Sequence, residues 1–244
     1  MSPTATLSTT ARVLTQLRRD PRTLALVLIV PPALLALFKY VFDRHPMTFD
    51  RIGGPLVGLF PFILMFLLTS IAMLRERTTG TLERLMSLPL AKLDLLAGYG
   101  LAFAAVGAVQ ATVTGGVAFG LLDLGADGPV WGVVLIAVAN ALLGMALGLF
   151  LSAFATSEFQ AIQFMPAVVF PQLIVCGLLV PREEMPRALE VVAAFLPLTY
   201  AYDALAKVTA DDVDGRLWLD VAVVGGAILL ALVLGATTLR RRTA

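Results

Sequence analysis

Residues 95–122 form a run of 28 positions without one charged side chain, and residues 56–74 form another such run. A transmembrane helix needs about 20 consecutive apolar residues, so each run is long enough to cross a bilayer. Between them lies a polar segment, Arg75-Glu76-Arg77-Thr78-Thr79-Gly80-Thr81-Leu82-Glu83-Arg84-Leu85-Met86-Ser87-Leu88-Pro89, which must sit in water at one membrane face. The composition agrees: 59% of the residues are hydrophobic and 14% are charged, against about 25% charged in a soluble domain. Mean hydropathy is +0.89. Lipid has to be the solvent for much of this chain.

Six spans follow from the apolar pattern, and all 244 residues read as one all-α integral membrane domain. The first runs over 24–42 with Pro31-Pro32 inside it, which kinks a helix and frees carbonyls that neighbours must satisfy. The second, 56–74, is opened by Gly53-Gly54-Pro55. The third, 95–122, is long enough to tilt or protrude. The fourth, 130–154, carries Gly144, Gly148 and Ser152 every four residues, a small-xxx-small stripe that admits a closely packed helix. The fifth, 161–180, is interrupted by Pro166 and Pro171, and the sixth covers 221–239. In the extracellular segment 182–216, residues 188–202 are too short and too broken by Pro197 to cross, which suits short helices dipping into the outer leaflet.

Residues 1–22 are polar and basic. Leu7, Ala11, Leu14 and Leu17 recur at helical spacing with Arg12, Thr15 and Arg19 elsewhere on the wheel, as in an amphipathic helix lying among headgroups with its arginines on lipid phosphates. No small-x-small cleavage site follows the first apolar run, which argues against a cleaved signal peptide. With both termini in the cytoplasm, eleven basic residues lie inside, Arg240-Arg241-Arg242 among them, and seven outside. That is the orientation the positive-inside rule selects. It puts segment 75–92 in the cytoplasm.

The residues exclude most chemistry. A phosphate-cradling loop needs Lys followed by Ser or Thr, but Lys39, Lys92 and Lys207 precede Tyr, Leu and Val. Cys176 is alone and His45, the single histidine, sits in a loop beside Asp43 and Arg44, so no metal cluster, disulfide or nucleophile–base set is expected. Net charge is +1, which offers nothing to nucleic acid. Carboxylates stay at span edges (Asp94, Asp123, Glu158, Asp220), whereas the mid-span polar groups are neutral: Gln110, Thr112, Thr114, Asn140, Gln163 and Gln172. Ion-coupled carriers keep ionisable residues near the midplane, so energy for uphill transport would have to enter from outside the membrane. Segment 75–92 is shaped for that: Gly80 or Thr81 caps a short helix, Leu82, Leu85 and Met86 make an apolar ridge, and Pro89 ends it. Charges surround the ridge. Residues alone leave two readings open, a docking element for a soluble motor and an interfacial helix lying on headgroups.

The run Arg75-Glu76-Arg77…Gly80-Thr81-Leu82-Glu83…Leu88-Pro89-Leu90, continuing through Leu93…Leu96-Ala97-Gly98 and Gln110, resembles the mark of ABC-2 type permeases, the daunorubicin-resistance-like branch of ABC exporters. A second block is similar to the same family: Leu147-Gly148-Leu149-Phe150-Leu151-Ser152, Pro166, Pro171, Gly177, Pro181, Met185-Pro186, then Leu196-Pro197-Leu198-Thr199-Tyr200 and Leu205. The extra threonine in Arg77-Thr78-Thr79-Gly80 departs from the pattern at the start of the cytoplasmic helix.

The resemblance implies a permease half that pairs with a second copy or a related chain, in a bacterial inner membrane. Separate ABC ATPase subunits would carry the ATP and Mg, with no cofactor or metal on this chain. An elbow helix maps onto 9–19, a coupling helix onto 82–88 and re-entrant helices onto 183–202. ATPase docking then falls to Arg75, Glu76, Arg77, Gly80, Thr81, Leu82, Glu83, Arg84, Leu85, Met86, Leu88 and Pro89. A path between spans two and five makes Phe60, Phe62, Phe66, Thr69, Gln163, Phe164, Phe170 and Gln172 candidate lining, and Pro166, Pro171 and Pro197 candidate gating positions. The expected cargo is an amphiphilic drug-like or lipid-like molecule. The alternatives are export of a polysaccharide or lipid-linked glycan and, from another class, a secondary carrier.

Overall fold

Capping residues set where the helices begin. Asp20 accepts hydrogen bonds from the Thr23 N–H at 3.2 Å and the Thr23 hydroxyl at 2.6 Å, with Pro21 at the first helical position. This separates α1 (Pro3–Arg18) from α2 (Pro21–Val41). The computed structural model describes residues 2–81 and 92–238, and every regular element among them is helical. After α2 come α3 (Pro46–Thr78), α4 (Lys92–Gly120) and α5 (Val130–Leu151), which runs into a 3₁₀ turn at Ser152–Phe154. Six helical stretches among the described residues are long and apolar enough to cross a membrane.

The second span differs from expectation at its start. Gly53-Gly54-Pro55 lie inside α3, not ahead of it. A Cβ at Gly53 would strike the side chain of Leu124, and one at Gly54 the side chain of Thr209. These glycines admit neighbours instead of breaking the helix.

The fifth span is built from α6 (Glu158–Phe164), a π-helical turn (Met165–Val169) and α7 (Phe170–Val175). Pro166 and Pro171 have no N–H to give, and the Phe170 N–H donates to the Met165 carbonyl, five residues back. The span stops at Val175, short of 180, with Gly177 at φ +108° in a conformation few side chains tolerate. Beyond it α8 (Arg187–Ala194) and α9 (Pro197–Thr209) meet at 90°. Helix α10 (Gly215–Thr238) is capped by Asp214, which accepts the Leu217 N–H at 3.0 Å, and so begins ahead of residue 221.

The α3–α5 seam is the axis of the bundle. The stripe of Gly144 and Gly148 lies against α3 so closely that a Cβ at either would fall on the Phe62 or Phe66 carbonyl. Ser152 is buried in line with them. Two buried apolar clusters flank the seam. One gathers Val13, Met73, Tyr99 and Phe103 towards α1; the other gathers Phe62, Leu143, Leu198, Leu205 and Val208 towards α9.

Candidate functional site

Helix α1 does not simply float on the bundle end. Its buried residues are Thr9 and Val13, whereas Leu7 is 62% exposed and Ala11 is exposed too. The face that packs is therefore rotated from the Leu7–Ala11 stripe. Gly98 of α4 explains the choice: a Cβ there would strike Thr9, and the Thr10 hydroxyl donates to the Gly98 carbonyl at 3.1 Å. Ser2 N–H donates to Asp94 at 3.0 Å, tying the start of α1 to the start of α4.

Arg12 points inward, not to lipid phosphate. It pairs with Glu76 of α3 at 3.0 Å, donates to the Tyr99 hydroxyl of α4 and lies 5.5 Å from the centre of the Tyr99 ring. Burial opposes its charge, but Tyr99 and Glu76 outweigh it and hold the guanidinium pKa above its ordinary value. Nearby, the Thr23 contacts keep the Asp20 carboxyl below its ordinary range. One residue before Glu76, Arg75 holds Glu158 of α6 through two hydrogen bonds, 2.7 and 3.2 Å long. Arg77 is half-buried and reaches the Ser152 carbonyl at 3.5 Å. Three consecutive residues at the end of α3 thus bind α1, α6 and the end of α5. Between α1, the start of α2, the end of α3 and α4 opens a cleft of about 430 Å³, its wall including Gln16, Asp20, Leu68, Glu76 and Phe103.

Of the residues expected to dock an ATPase, Arg75, Glu76 and Arg77 are engaged within the chain. Gly80 takes φ +71° just after α3, and Thr81 is half-buried beside it. Leu82, Glu83, Arg84, Leu85, Met86, Leu88 and Pro89 lie outside the described residues, as do Arg240, Arg241 and Arg242.

The path residues fall into two groups. Phe62, Phe66 and Thr69 are fully buried in the α3–α5 seam, where the Thr69 hydroxyl bonds the Met65 carbonyl and approaches that of Met145 at 3.4 Å. They serve packing within this one chain. Gln163 and Phe170 are exposed, Phe60 and Phe164 half-buried, and Gln172 buried with its amide N–H on the Val168 carbonyl at 3.1 Å. Pro166 and Pro171 are exposed on the π-turn span, and Pro197 starts α9. Among the neutral mid-span groups, buried Gln110 donates to Thr114 at 3.0 Å, while Asn140 is buried with neither amide atom paired among the described residues. No group of three or more potential metal ligands occurs among the described residues.

The bundle has apolar spans, charges confined to their ends and a polar knot at one end. The profile of the ABC-2 type transporter family matches residues 4–209. The chain belongs to the ABC-2 type transporter family. An ABC-2 protein of this kind is a multi-pass membrane permease, the transport component of its system and not a catalyst. Among relatives, ABC transporter G family member 20 of Dictyostelium discoideum is 30% identical over 159 residues, 65% of this chain and 22% of that protein. Nodulation protein J of Rhizobium leguminosarum bv. viciae is 28% identical over 96 residues, 39% of this chain and 37% of that protein. The chain thus matches well under half the length of either relative.

Sequence reading missed the partners of the docking charges. Glu76 had a signal: a carboxylate at the end of an apolar run wants a cation nearby, and residues 1–22 offer Arg12, Arg18, Arg19 and Arg22. Nothing in the sequence singled out Tyr99.

Proposed function

We propose that this ABC-2 permease exports an amphiphilic, drug-like or lipid-like molecule across the plasma membrane, with energy supplied by separate ATP-hydrolysing subunits beneath it. The observation that carries this is the distribution of charge. Between the ends of the spans there is no Asp, Glu, Lys, Arg or His, so no ion gradient has a residue to act on. Two of the five ion pairs among the described residues join α1, α3 and α6 at the end of the bundle that leads into segment 75–92, and the other three lie within residues 182–220. A push on that segment would be felt by three helices at once. The termini would be cytoplasmic, and two permease halves, identical or related, would enclose the path. The exposed Gln163 and Phe170 of the π-turn span are its best lining candidates, and Pro166 and Pro171 the places where that span yields. The name of the Dictyostelium relative supports an ABC partnership. A glycan cargo is the second reading; the phenylalanines of spans two and five favour the apolar one.

Reconstitution tests the reading. Cargo should move in proteoliposomes only when the ATPase subunit and ATP are both present, and movement by the permease alone would overturn it. Replacing Leu85 and Met86 by Asp should abolish co-purification with the ATPase while the permease still inserts.

A further inference from the structure

The two tryptophans of the chain lie far apart in sequence, yet both line one groove. Trp131 at the start of α5 and Trp218 at the start of α10 are each 71% exposed and border a groove of about 420 Å³. Its floor is α9, through Ala204 and Val208, with buried Leu217 and Val224 of α10. The walls are almost wholly apolar. Gly225 lies in the groove with nothing within 4 Å of where its Cβ would be, so its missing side chain leaves real space.

We propose that this groove holds an acyl chain of a zwitterionic membrane phospholipid as a bound lipid. It is continuous with the lipid-facing surface of the bundle: Leu135 in its wall is 61% exposed, and Leu229 further along α10 is 66% exposed. A flexible apolar chain can follow the almost wholly apolar walls of such a groove, about 420 Å³ in volume. Indole rings with one polar edge belong at the headgroup level, which places the mouth beside Trp131 and Trp218. Charges at the mouth match a headgroup of both signs. Arg216 is exposed and forms no ion pair among the described residues, for a phosphate. Asp211 and Asp212, exposed and adjoining groove residue Val213, suit an ammonium. Lys207 is already held by Asp220 at 2.8 Å and Asp214 at 3.5 Å.

The tryptophans are the probe. The full chain is reconstituted in phosphatidylglycerol bilayers with small fractions of chain-brominated phosphatidylethanolamine, and tryptophan emission is followed. The expected result is quenching at an about tenfold lower mole fraction than with brominated phosphatidylglycerol. Gly225→Leu should remove that excess without lowering the melting temperature, and Asp211→Asn with Asp212→Asn should narrow the preference between the two lipids, because the ammonium is the group by which they differ. Equal quenching by both lipids in proportion to their bulk fraction would overturn the proposal. So would a disulfide between two copies carrying Gly225→Cys, since a second protein would then occupy the groove. Should Gly225→Leu fail to fold, native mass spectrometry of the unaltered protein decides: phosphatidylethanolamine retained in stoichiometric amount supports the site, and its absence removes it.

Discussion

The α3–α5 seam and the span built from α6, the π turn and α7 are both membrane-crossing, but they are held in opposite ways. In α3 and α5, 61% of the most apolar window is buried within the chain; in Glu158–Val175 the share is 22%. Glycine brings the backbones of the first pair together, so dispersion and close packing act along their whole length. Proline and a π turn loosen the second, which touches the rest mainly through α3 and the Arg75–Glu158 pair. One chain thus contains a stiff beam and a yielding strut. Motion is expected in the strut.

Substitutions at the seam test this most severely. Gly144→Leu places a side chain on the Phe62 backbone and should cost about 3 kcal/mol or more, read as loss of a monodisperse, folded species. Gly226→Leu on α10 meets open space and should stay within about 0.5 kcal/mol. Equal damage from both would break the distinction. Next in size is Arg12→Ala, which leaves the largely buried Glu76 unpaired at an expected cost of about 2 kcal/mol in thermal unfolding, below the range of about 3–5 for a fully buried pair because Arg12 is partly solvated. In the strut, Pro166→Ala with Pro171→Ala should restore ordinary helical bonds. Stability should change by under about 1 kcal/mol while transport slows several-fold; unchanged transport would remove the gating role. Smallest is Glu158→Ala. With both partners more than half exposed, the Arg75 pair contributes under about 1 kcal/mol, seen as a small shift in melting temperature.

Much of this was legible in the residues. Six spans are visible because hydropathy over about 20 residues admits few alternatives, and the Gly144–Gly148 stripe announced a close neighbour. What stayed hidden depends on tertiary partners. Gly53-Gly54-Pro55 look like a helix breaker in isolation, but Leu124 and Thr209 occupy the space the glycines vacate. The packing face of α1 follows Gly98, eighty-odd residues away, not its own strongest apolar stripe. Residues 123–129 link the third and fourth spans, yet nothing in them tells that the Asp127 and Gly128 N–H groups donate to the Thr209 carbonyl at 3.0 and 3.1 Å. The apolar ridge was read from spacing and its docking role from the family resemblance, and it falls outside the described residues.

Helix α3 has 33 residues, about 50 Å at 1.5 Å per residue, while the hydrocarbon layer is about 30 Å thick. The excess overhangs the lipid like the handle of an oar past its lock. A rocking of about 5° around its centre would sweep each tip by about 2 Å, from simple leverage on that length. That is enough to make or lose a hydrogen bond at the blade without any residue inside the membrane changing its neighbours.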